Sequence, residues 1–210
     1  MSSQPTRPLI AILGHIRPSE VLEVGAALIA AGITNFEIPM NATDPLNSIE
    51  RLASTFGSRA QIGGGVATEP FHADRIANAG GQMVLSPHCD PAVIKRALAL
   101  NLTVYPGVLT ATDCFTAIRA GATNLVFYPA MQLGLPGFQS LYRVLPRDVR
   151  CYARGGINGP EFVAWLSAGM HGFGMGTALY HPNRTIHEIA LRAEAIVQSY
   201  DQASKRIKAR

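Results

Sequence analysis

Short apolar segments alternate with amphipathic helical segments along the chain, and this alternation limits the possible folds more than any other feature of the sequence. The segment 9–13 is apolar at every position, which is typical of a parallel strand buried on both faces. A predicted helix follows it, and the same order recurs to the end of the chain. The predicted strands are 9–13, 33–39, 60–65, 82–86, 102–106, 123–128, 149–153 and 171–174.

Proline and glycine mark the ends of the predicted helices. Pro45, Pro91 and Pro136 lie in the first turn of three of them, and Gly32 and Gly57 follow the last residue of two. The predicted helices are 18–31, 45–56, 69–79, one that starts at 90, 111–120, 136–145, 159–168 and one from 184 towards 200.

Eight strands joined by helical crossovers within 210 residues predict an α/β fold, a closed (β/α)8 TIM barrel. An open doubly wound sheet is the alternative, but the alternation continues without a break along the whole chain. No linker or low-complexity segment interrupts it. We therefore expect a single domain over residues 1–210.

Composition and charge argue against several classes of partner. The net charge is +4, and part of the basic excess lies in the tail, at Lys205, Arg206, Lys208 and Arg210. No aromatic residues are interleaved with these charges, so no nucleic-acid partner is expected. No apolar run approaches the length of a membrane span and no apolar leader precedes the first strand, so we expect a cytoplasmic protein without membrane contact. The three cysteines show no paired spacing, and neither a metal nor a cofactor is expected.

Polar residues and glycines stand where the predicted strands end, which is where barrels of this kind carry their chemistry. Glu37 is the acid or base candidate, because a carboxyl group at a buried strand end has a raised pKa. Its alternative role is to accept hydrogen bonds from the backbone. Further candidates for the pocket are His15, Gly65, Pro106 and Arg154.

Two glycine clusters predict a phosphate site. The seventh predicted strand ends in Gly155-Gly156, and the eighth leads into Gly174-Met175-Gly176-Thr177. Glycine allows backbone N–H groups to approach an anion closely, and a phosphate site after the last two strands recurs in barrels. Gly155, Gly156, Gly176 and Thr177 are therefore the predicted phosphate ligands, with tight turns as the alternative explanation for the glycines.

A series of segments then matches one family in order and over nearly the full length. They are 8–13 (PLIAIL), 36–41 (FEIPMN), 62–65 (IGGG), 106–107 (PG), 110–112 (TAT), 120–122 (AGA), 144–146 (VLP), 155–156 (GG) and 174–180 (GMGTALY). With these segments the chain resembles the 2-keto-3-deoxy-6-phosphogluconate and 2-keto-3-deoxy-6-phosphogalactonate aldolases, most closely the phosphogalactonate branch. The resemblance implies a (β/α)8 barrel, a homotrimer, and a phosphorylated 2-keto-3-deoxy sugar acid as the ligand.

The resemblance also implies a mechanism that this sequence cannot perform in the family's way. Members of the family cleave their substrate to pyruvate and glyceraldehyde 3-phosphate through a lysine Schiff base, while a glutamate transfers protons. Glu37 matches the glutamate, but Val126 occupies the position of the lysine. The lysines of the chain are Lys95, Lys205 and Lys208, and each lies in a predicted helix or in the tail.

Two further departures concern the family's keto-acid end of the pocket. Gly14 stands where the family has an arginine that helps to hold the pyruvyl carboxylate, and Val66 stands where it has a threonine. Arg17 or Arg154 could replace the missing arginine. Because the phosphate loops match, the resemblance predicts that phosphate binding is kept while the keto-acid end is altered.

Three functions remain open at this point. The first is a family aldolase with weak or absent Schiff-base activity. The second is a lysine-independent enzyme on the same barrel, such as an isomerase or a metal-assisted lyase in which His15, Glu37 and His88 converge on a metal. The third is a phosphosugar-binding protein without catalysis.

Overall fold

The computed structural model describes residues 7–208 and contains one parallel sheet of nine strands. The order of the strands in the sheet is β5-β4-β3-β2-β1-β9-β8-β7-β6, and every neighbouring pair is parallel. The strands are β1 (Leu9–Ile12), β2 (Asn35–Pro39), β3 (Gln61–Gly65), β4 (Met83–Leu85), β5 (Thr103–Tyr105), β6 (Gly107–Val108), β7 (Asn124–Phe127), β8 (Arg150–Arg154) and β9 (Gly172–Met175).

Strands β5 and β6 are two parts of one barrel strand that is interrupted at Pro106. Proline has no N–H group for the ladder, but its carbonyl accepts a hydrogen bond from the backbone N–H of Val126 (2.9 Å). Because β5 pairs with β4 and β6 pairs with β7, the sheet closes as an eight-part barrel. The predicted (β/α)8 barrel is thus confirmed, and the open sheet is wrong.

Eight helices within residues 7–208 surround the barrel, and most of them begin and end within a few residues of their predicted bounds. They are α1 (Val21–Ala31), α2 (Pro45–Phe56), α3 (Pro70–Asn78), α4 (Pro91–Ala99), α5 (Ala111–Arg119), α6 (Ala130–Tyr142), α7 (Phe162–Ser167) and α8 (Ile186–Lys208), with a 3-10 turn at Gly159–Glu161 before α7. Helix α2 has the predicted bounds.

Helices α6 and α8 depart from the prediction. Helix α6 begins at Ala130 instead of 136, because a first helical segment precedes a break at Gly134 (φ 67°). Pro136 opens only the second segment, which is the part that the sequence signals. Helix α8 continues to Lys208, so the basic tail is helical as far as the structure describes it. Arg210 and residues 1–6 lie outside the described residues.

The interior of the barrel is a separate apolar cluster from the core between sheet and helices. It consists of Ile10, Met83, Leu85, Tyr105, Val126 and Tyr152. The rings of Tyr105 and Tyr152 pack edge to face with centroids 5.1 Å apart. Side chains on one face of a strand alternate with those on the other, so Arg154 points inward like Tyr152, two residues before it on β8.

An ion pair ties the start of the described chain to its last helix. The guanidinium of Arg7 donates to both carboxylate oxygens of Asp201, at 2.7 and 2.8 Å. This two-point contact holds the residues before β1 against α8 at the amino-terminal end of the barrel.

Among residues 7–208, no helix is long and apolar enough to cross a membrane.

Candidate functional site

A cavity of about 460 Å³ opens at the carboxyl ends of β1, β8 and β9, and we call this opening the barrel mouth. Six of the predicted site residues line it together: His15, Arg154, Gly155, Gly156, Gly176 and Thr177. The loops after β8 and β9 therefore meet at one place, as the sequence predicts for a phosphate site.

The two glycine loops present backbone groups to the cavity. Gly155 and Gly156 have φ of 90° and 86°, a conformation that favours glycine because it has no Cβ. The backbone N–H groups of Gly155, Gly156 and Thr177 donate to no backbone carbonyl within the part of the chain that the structure describes. A Cβ at Gly176 would lie more than 4 Å from every neighbour, so the space above that residue is open. These features suit an anion that accepts backbone hydrogen bonds.

Glu37 lies beneath the mouth and is fully buried. Its Oε2 is 3.1 Å from Nη1 of Arg154, although the N–H is not aligned for a hydrogen bond. Burial raises the pKa of the Glu37 carboxyl group, and the charge of Arg154 opposes that rise. The carboxyl group fits because it rests against Gly65, where any Cβ would overlap Oε1. The Glu37 carboxyl group therefore connects two other predicted residues, Gly65 and Arg154.

Arg154 connects this buried carboxyl group to the cavity. Its side chain is 14% exposed, and its guanidinium carbon lies 5.2 Å from the centre of the Tyr128 ring. Tyr128 itself is 37% exposed at the rim of the mouth. The cavity lining includes Arg154 but not Glu37, so Arg154 is the member of this pair that faces the cavity.

Val126, which the resemblance matches to the family lysine, is 3% exposed and belongs to the apolar cluster inside the barrel. It is paired in register with Gly107 on one side and with Tyr152 on the other. The three lysines lie on the outer helices, Lys95 in α4 and Lys205 and Lys208 in α8. No lysine of this chain therefore stands on a barrel strand.

Several predicted residues do not join the mouth. The side chain of Arg17 is 63% exposed and faces Glu20 at 3.8 Å, and Arg17 does not line the cavity. Pro106 is buried in the interrupted strand, outside the lining. Val66 has φ 55°, which is strained for a β-branched residue, and it also lies outside the lining.

The suggested metal triad is not assembled. His88 is exposed, and its Nδ1 lies 2.9 Å from the Oγ of Ser86. Within residues 7–208 no three His, Cys, Asp or Glu side chains form a group that could hold a metal ion. His15, Glu37 and His88 therefore do not converge, because Glu37 faces the barrel interior and Arg154 instead.

Gly14, by contrast, leaves free space at the mouth. It lines the cavity, and a Cβ there would meet no atom within 4 Å. The first strand therefore contributes no cation at the place where the resemblance puts an arginine.

Sequence reasoning missed several residues of the lining, among them Tyr128, Asn158 and His181. Tyr128 follows β7, and its aromatic ring at a strand end is a signal that could have indicated it. His181 has no such signal: its Nδ1 accepts a hydrogen bond from the backbone N–H of Asn183 (3.2 Å), and only the turn after β9 brings it to the cavity.

Comparison with known proteins identifies the family of the chain. The sequence model described as "Aldolase: KDPG and KHG aldolase" matches residues 2–191. A probable 2-dehydro-3-deoxy-6-phosphogalactonate aldolase of Rhizobium meliloti (strain 1021) is 38% identical over 195 residues, which are 93% of this chain and 92% of the relative. The 2-dehydro-3-deoxy-6-phosphogalactonate aldolase of Escherichia coli (strain K12) is 37% identical over 203 residues, or 97% and 99% of the two chains.

A solved structure shows the same fold over the same extent. The structure described as "Native KDPGal structure" superposes with a TM-score of 0.94 at 36% sequence identity, and the match covers 98% of this chain and 100% of that one. The similarity therefore includes the barrel and both glycine loops, and it extends through the whole domain.

Proposed function

The chain belongs to the KDPG and KHG aldolase family, and from this membership we propose that its barrel mouth binds a phosphorylated 2-keto-3-deoxy sugar acid without forming a lysine Schiff base. The observation that carries the proposal is the contrast between two parts of one site. The loops suited to phosphate meet at the cavity, while the lysine position is an apolar valine inside the barrel.

The phosphate half of the proposal rests on the two glycine loops. Gly155, Gly156, Gly176 and Thr177 line the same cavity, and three of their backbone N–H groups have no backbone acceptor among the described residues. The relatives at 37% and 38% identity are named as aldolases of a 6-phosphorylated sugar acid, which fits a phosphate at this place. A phosphate there would accept several backbone hydrogen bonds at once.

The second half rests on the position of every lysine in the chain. An imine needs an unprotonated amine within bonding distance of the keto carbon, and Val126 offers only methyl groups. Lys95, Lys205 and Lys208 lie in helices outside the barrel wall. Binding of the sugar acid is thus separated from the imine chemistry of the family.

Proton transfer to or from the bound acid is a second candidate function, and the state of Glu37 favours it. Its carboxyl group is fully buried and has no hydrogen-bond partner in the described part of the chain. Burial raises its pKa, which suits an acid or base near neutral pH. Because Arg154 lines the cavity and Glu37 does not, this role requires a rearrangement of the pair that exposes the carboxyl group. The test is exchange of the C3 protons of the bound acid with deuterium from the solvent. Loss of this exchange in a Glu37→Gln variant would support a role of Glu37 in proton transfer.

The assembly and the location of the protein belong to the same proposal. We expect a homotrimer, as the resemblance implies, and a cytoplasmic location with no cofactor, as the sequence predicts. The measurement is the mass of the purified protein by light scattering, and a monomeric mass at micromolar concentration would contradict the trimer.

Calorimetry with 2-keto-3-deoxy-6-phosphogalactonate and with its unphosphorylated form tests the binding proposal. We expect the phosphorylated acid to bind at least about tenfold more tightly, since each tenfold step needs only about 1.4 kcal/mol. Equal affinities, or no binding of either compound, would overturn the assignment of the phosphate loops.

Borohydride reduction with the same ligand, followed by intact-mass measurement, tests the absence of the imine. We expect the protein mass to stay unchanged, and a pyruvyl adduct on any lysine would overturn that part. An assay for pyruvate release in the presence and absence of divalent metal ions then distinguishes the three functions. Release without an adduct indicates lysine-independent catalysis, and binding without release indicates a non-catalytic protein.

A further inference from the structure

Arg154 presents a guanidinium group with unused donors to the barrel mouth. A guanidinium carries five N–H donors. The charged partner of Arg154 is the Glu37 carboxyl group, which lies 3.1 Å from Nη1 but is poorly aligned for a hydrogen bond. Arg154 is also the one lysine or arginine among the described residues that line the cavity. An anion that enters the mouth therefore meets one side-chain cation.

We propose that Arg154 makes the mouth specific for an acid, by holding the carboxylate of the ligand while the glycine loops hold its phosphate. The inference rests on the proposed function and adds the residue that recognises the other end of the ligand. A guanidinium binds a carboxylate through two parallel hydrogen bonds, which gives direction as well as charge.

The direction of the side chain separates this role from phosphate binding. Arg154 is the last residue of β8, and it reaches Glu37 on β2, although β9 and β1 lie between these strands in the sheet. Its guanidinium therefore lies between Glu37 and the ring of Tyr128, whereas Gly155, Gly156 and Gly176 belong to the loops at the rim. A ligand with its phosphate at the rim directs its opposite end towards the guanidinium.

The neighbours of Arg154 leave room for its side chain and hold its guanidinium in place. Gly174 is beside Arg154 in register, and even a Cβ there would contact the Cβ and Cγ of Arg154 at 3.4 Å. Tyr128 covers one side of the guanidinium. Gly14 adds no side chain from the first strand, so the carboxylate has no competing cation there. The arginine function that the resemblance places on β1 is thus supplied from β8.

Two six-carbon phosphates that differ only at C1 test the proposal: 6-phosphogluconate, which carries a carboxylate, and glucitol 6-phosphate, which carries an alcohol. Calorimetry gives the ratio of their affinities. For the unaltered protein we expect a ratio of roughly ten- to a hundredfold in favour of the acid. In Arg154→Met the ratio should fall to about one, with the affinity for the alcohol nearly unchanged, and in Arg154→Lys it should lie in between.

Matched variants keep the outcome interpretable. Arg150→Met removes an arginine from the same strand and the same face at the opposite end of the barrel, and it should preserve the ratio. If Arg154→Met fails to fold because Glu37 is left alone, the double variant with Glu37→Gln removes both charges and should also show a ratio of about one.

Each result decides between the two proposals. A ratio of about one in the unaltered protein, or an equal loss of both ligands in Arg154→Met, would overturn the inference while leaving phosphate binding intact. Failure of the unaltered protein to bind either phosphate would instead overturn the proposed function, and the inference with it.

Discussion

Val126 lies directly beside Tyr152 in the register of β7 and β8, and both side chains belong to the apolar cluster inside the barrel. A lysine at this position would bring an ammonium group into that cluster, on the same side as Arg154. We expect Val126→Lys to release little or no pyruvate from a phosphorylated keto-deoxy acid, because Gly14 and Val66 offer no polar side chain to the keto-acid end and Arg154 would hold the carboxylate from a different strand than the family's arginine. We also expect it to be less stable than Val126→Met by about 2 kcal/mol.

Pyruvate release by both variants is measured by coupling it to the reduction of pyruvate. Urea unfolding of the same two proteins measures their stability. Turnover close to that of a lysine-containing relative would show that the missing arginine and threonine are not needed. Val126→Met serves as the control for a longer side chain without charge.

The buried carboxyl group of Glu37 should make stability depend on pH. Its pKa is raised in the folded protein, mainly by burial, whereas in the unfolded chain it is near the ordinary value of about 4.3. As pH rises above that value the unfolded state loses a proton that the folded state retains, so the folded state loses stability until its own pKa is passed. The free energy of unfolding of Glu37→Gln, relative to that of the unaltered protein, should therefore increase with rising pH, by at most about 1.4 kcal/mol per pH unit.

Urea unfolding between pH 4 and pH 8, an interval chosen to begin near the ordinary glutamate value of about 4.3, measures this difference. Glu50→Gln, on the exposed side of α2, controls for the loss of a carboxyl group and should show no such trend. If the advantage of Glu37→Gln shrinks as pH rises, Arg154 outweighs burial and keeps the carboxylate charged.

Gly176→Ala should weaken phosphate binding without harming the fold. The added methyl group meets no protein atom within 4 Å, so stability should change by less than about 0.5 kcal/mol. It does, however, fill the space above the loop, and we expect a loss of about tenfold or more in the affinity for 6-phosphogluconate. Calorimetry measures the affinity. Gly14→Ala, which adds a methyl group to the same cavity away from the phosphate loops, should retain it, and equal effects of both variants would contradict the predicted phosphate position.

The contact between Arg7 and Asp201 should stabilise the protein at neutral pH and lose its effect in acid. The hydrogen bonds from Arg7 lower the pKa of Asp201, so the contribution is present above the ordinary aspartate value and disappears as pH falls through the lowered one. Asp201 is 38% exposed and therefore partly screened, and we expect Asp201→Asn to lose about 1 kcal/mol at pH 7.

Thermal unfolding at pH 7 and at about pH 3, below the ordinary aspartate value, gives this comparison. Asp74→Asn breaks the more exposed pair with Arg96 between α3 and α4 and should have the smaller effect. A loss for Asp201→Asn that is as large in acid as at pH 7 would mean that packing, and not charge, accounts for it.

The parts of the protein that could be predicted are those that local sequence determines. The buried strands, the helix ends and the two glycine loops follow from neighbouring residues, and the closure of the barrel follows from their number. The interruption at Pro106 was missed because a proline within an apolar run looks like the end of a strand, and the start of α6 was missed because Pro136 is the stronger signal.

The contacts between distant residues could not be predicted from one sequence. Arg17 and Arg154 are both candidates for the missing cation, with a solvated side chain favoured for Arg17, and the three-dimensional structure shows where each of them lies. Arg17 meets its own neighbour Glu20 at the surface, whereas Arg154 is long enough to cross the barrel and reach Glu37. The failed convergence of His15, Glu37 and His88 has the same origin, since strand order alone does not state where a side chain points.

The empty space beside Gly14 decides the order in which imine chemistry could be rebuilt by directed evolution. An arginine introduced there grows into solvent and displaces nothing, so such a library should express as well as its parent. A lysine introduced first at position 126 must be accommodated among the tyrosine rings of the interior, so a lineage that begins with it starts from a destabilised protein. Laboratory lineages should therefore acquire an arginine at position 14 before a lysine at position 126.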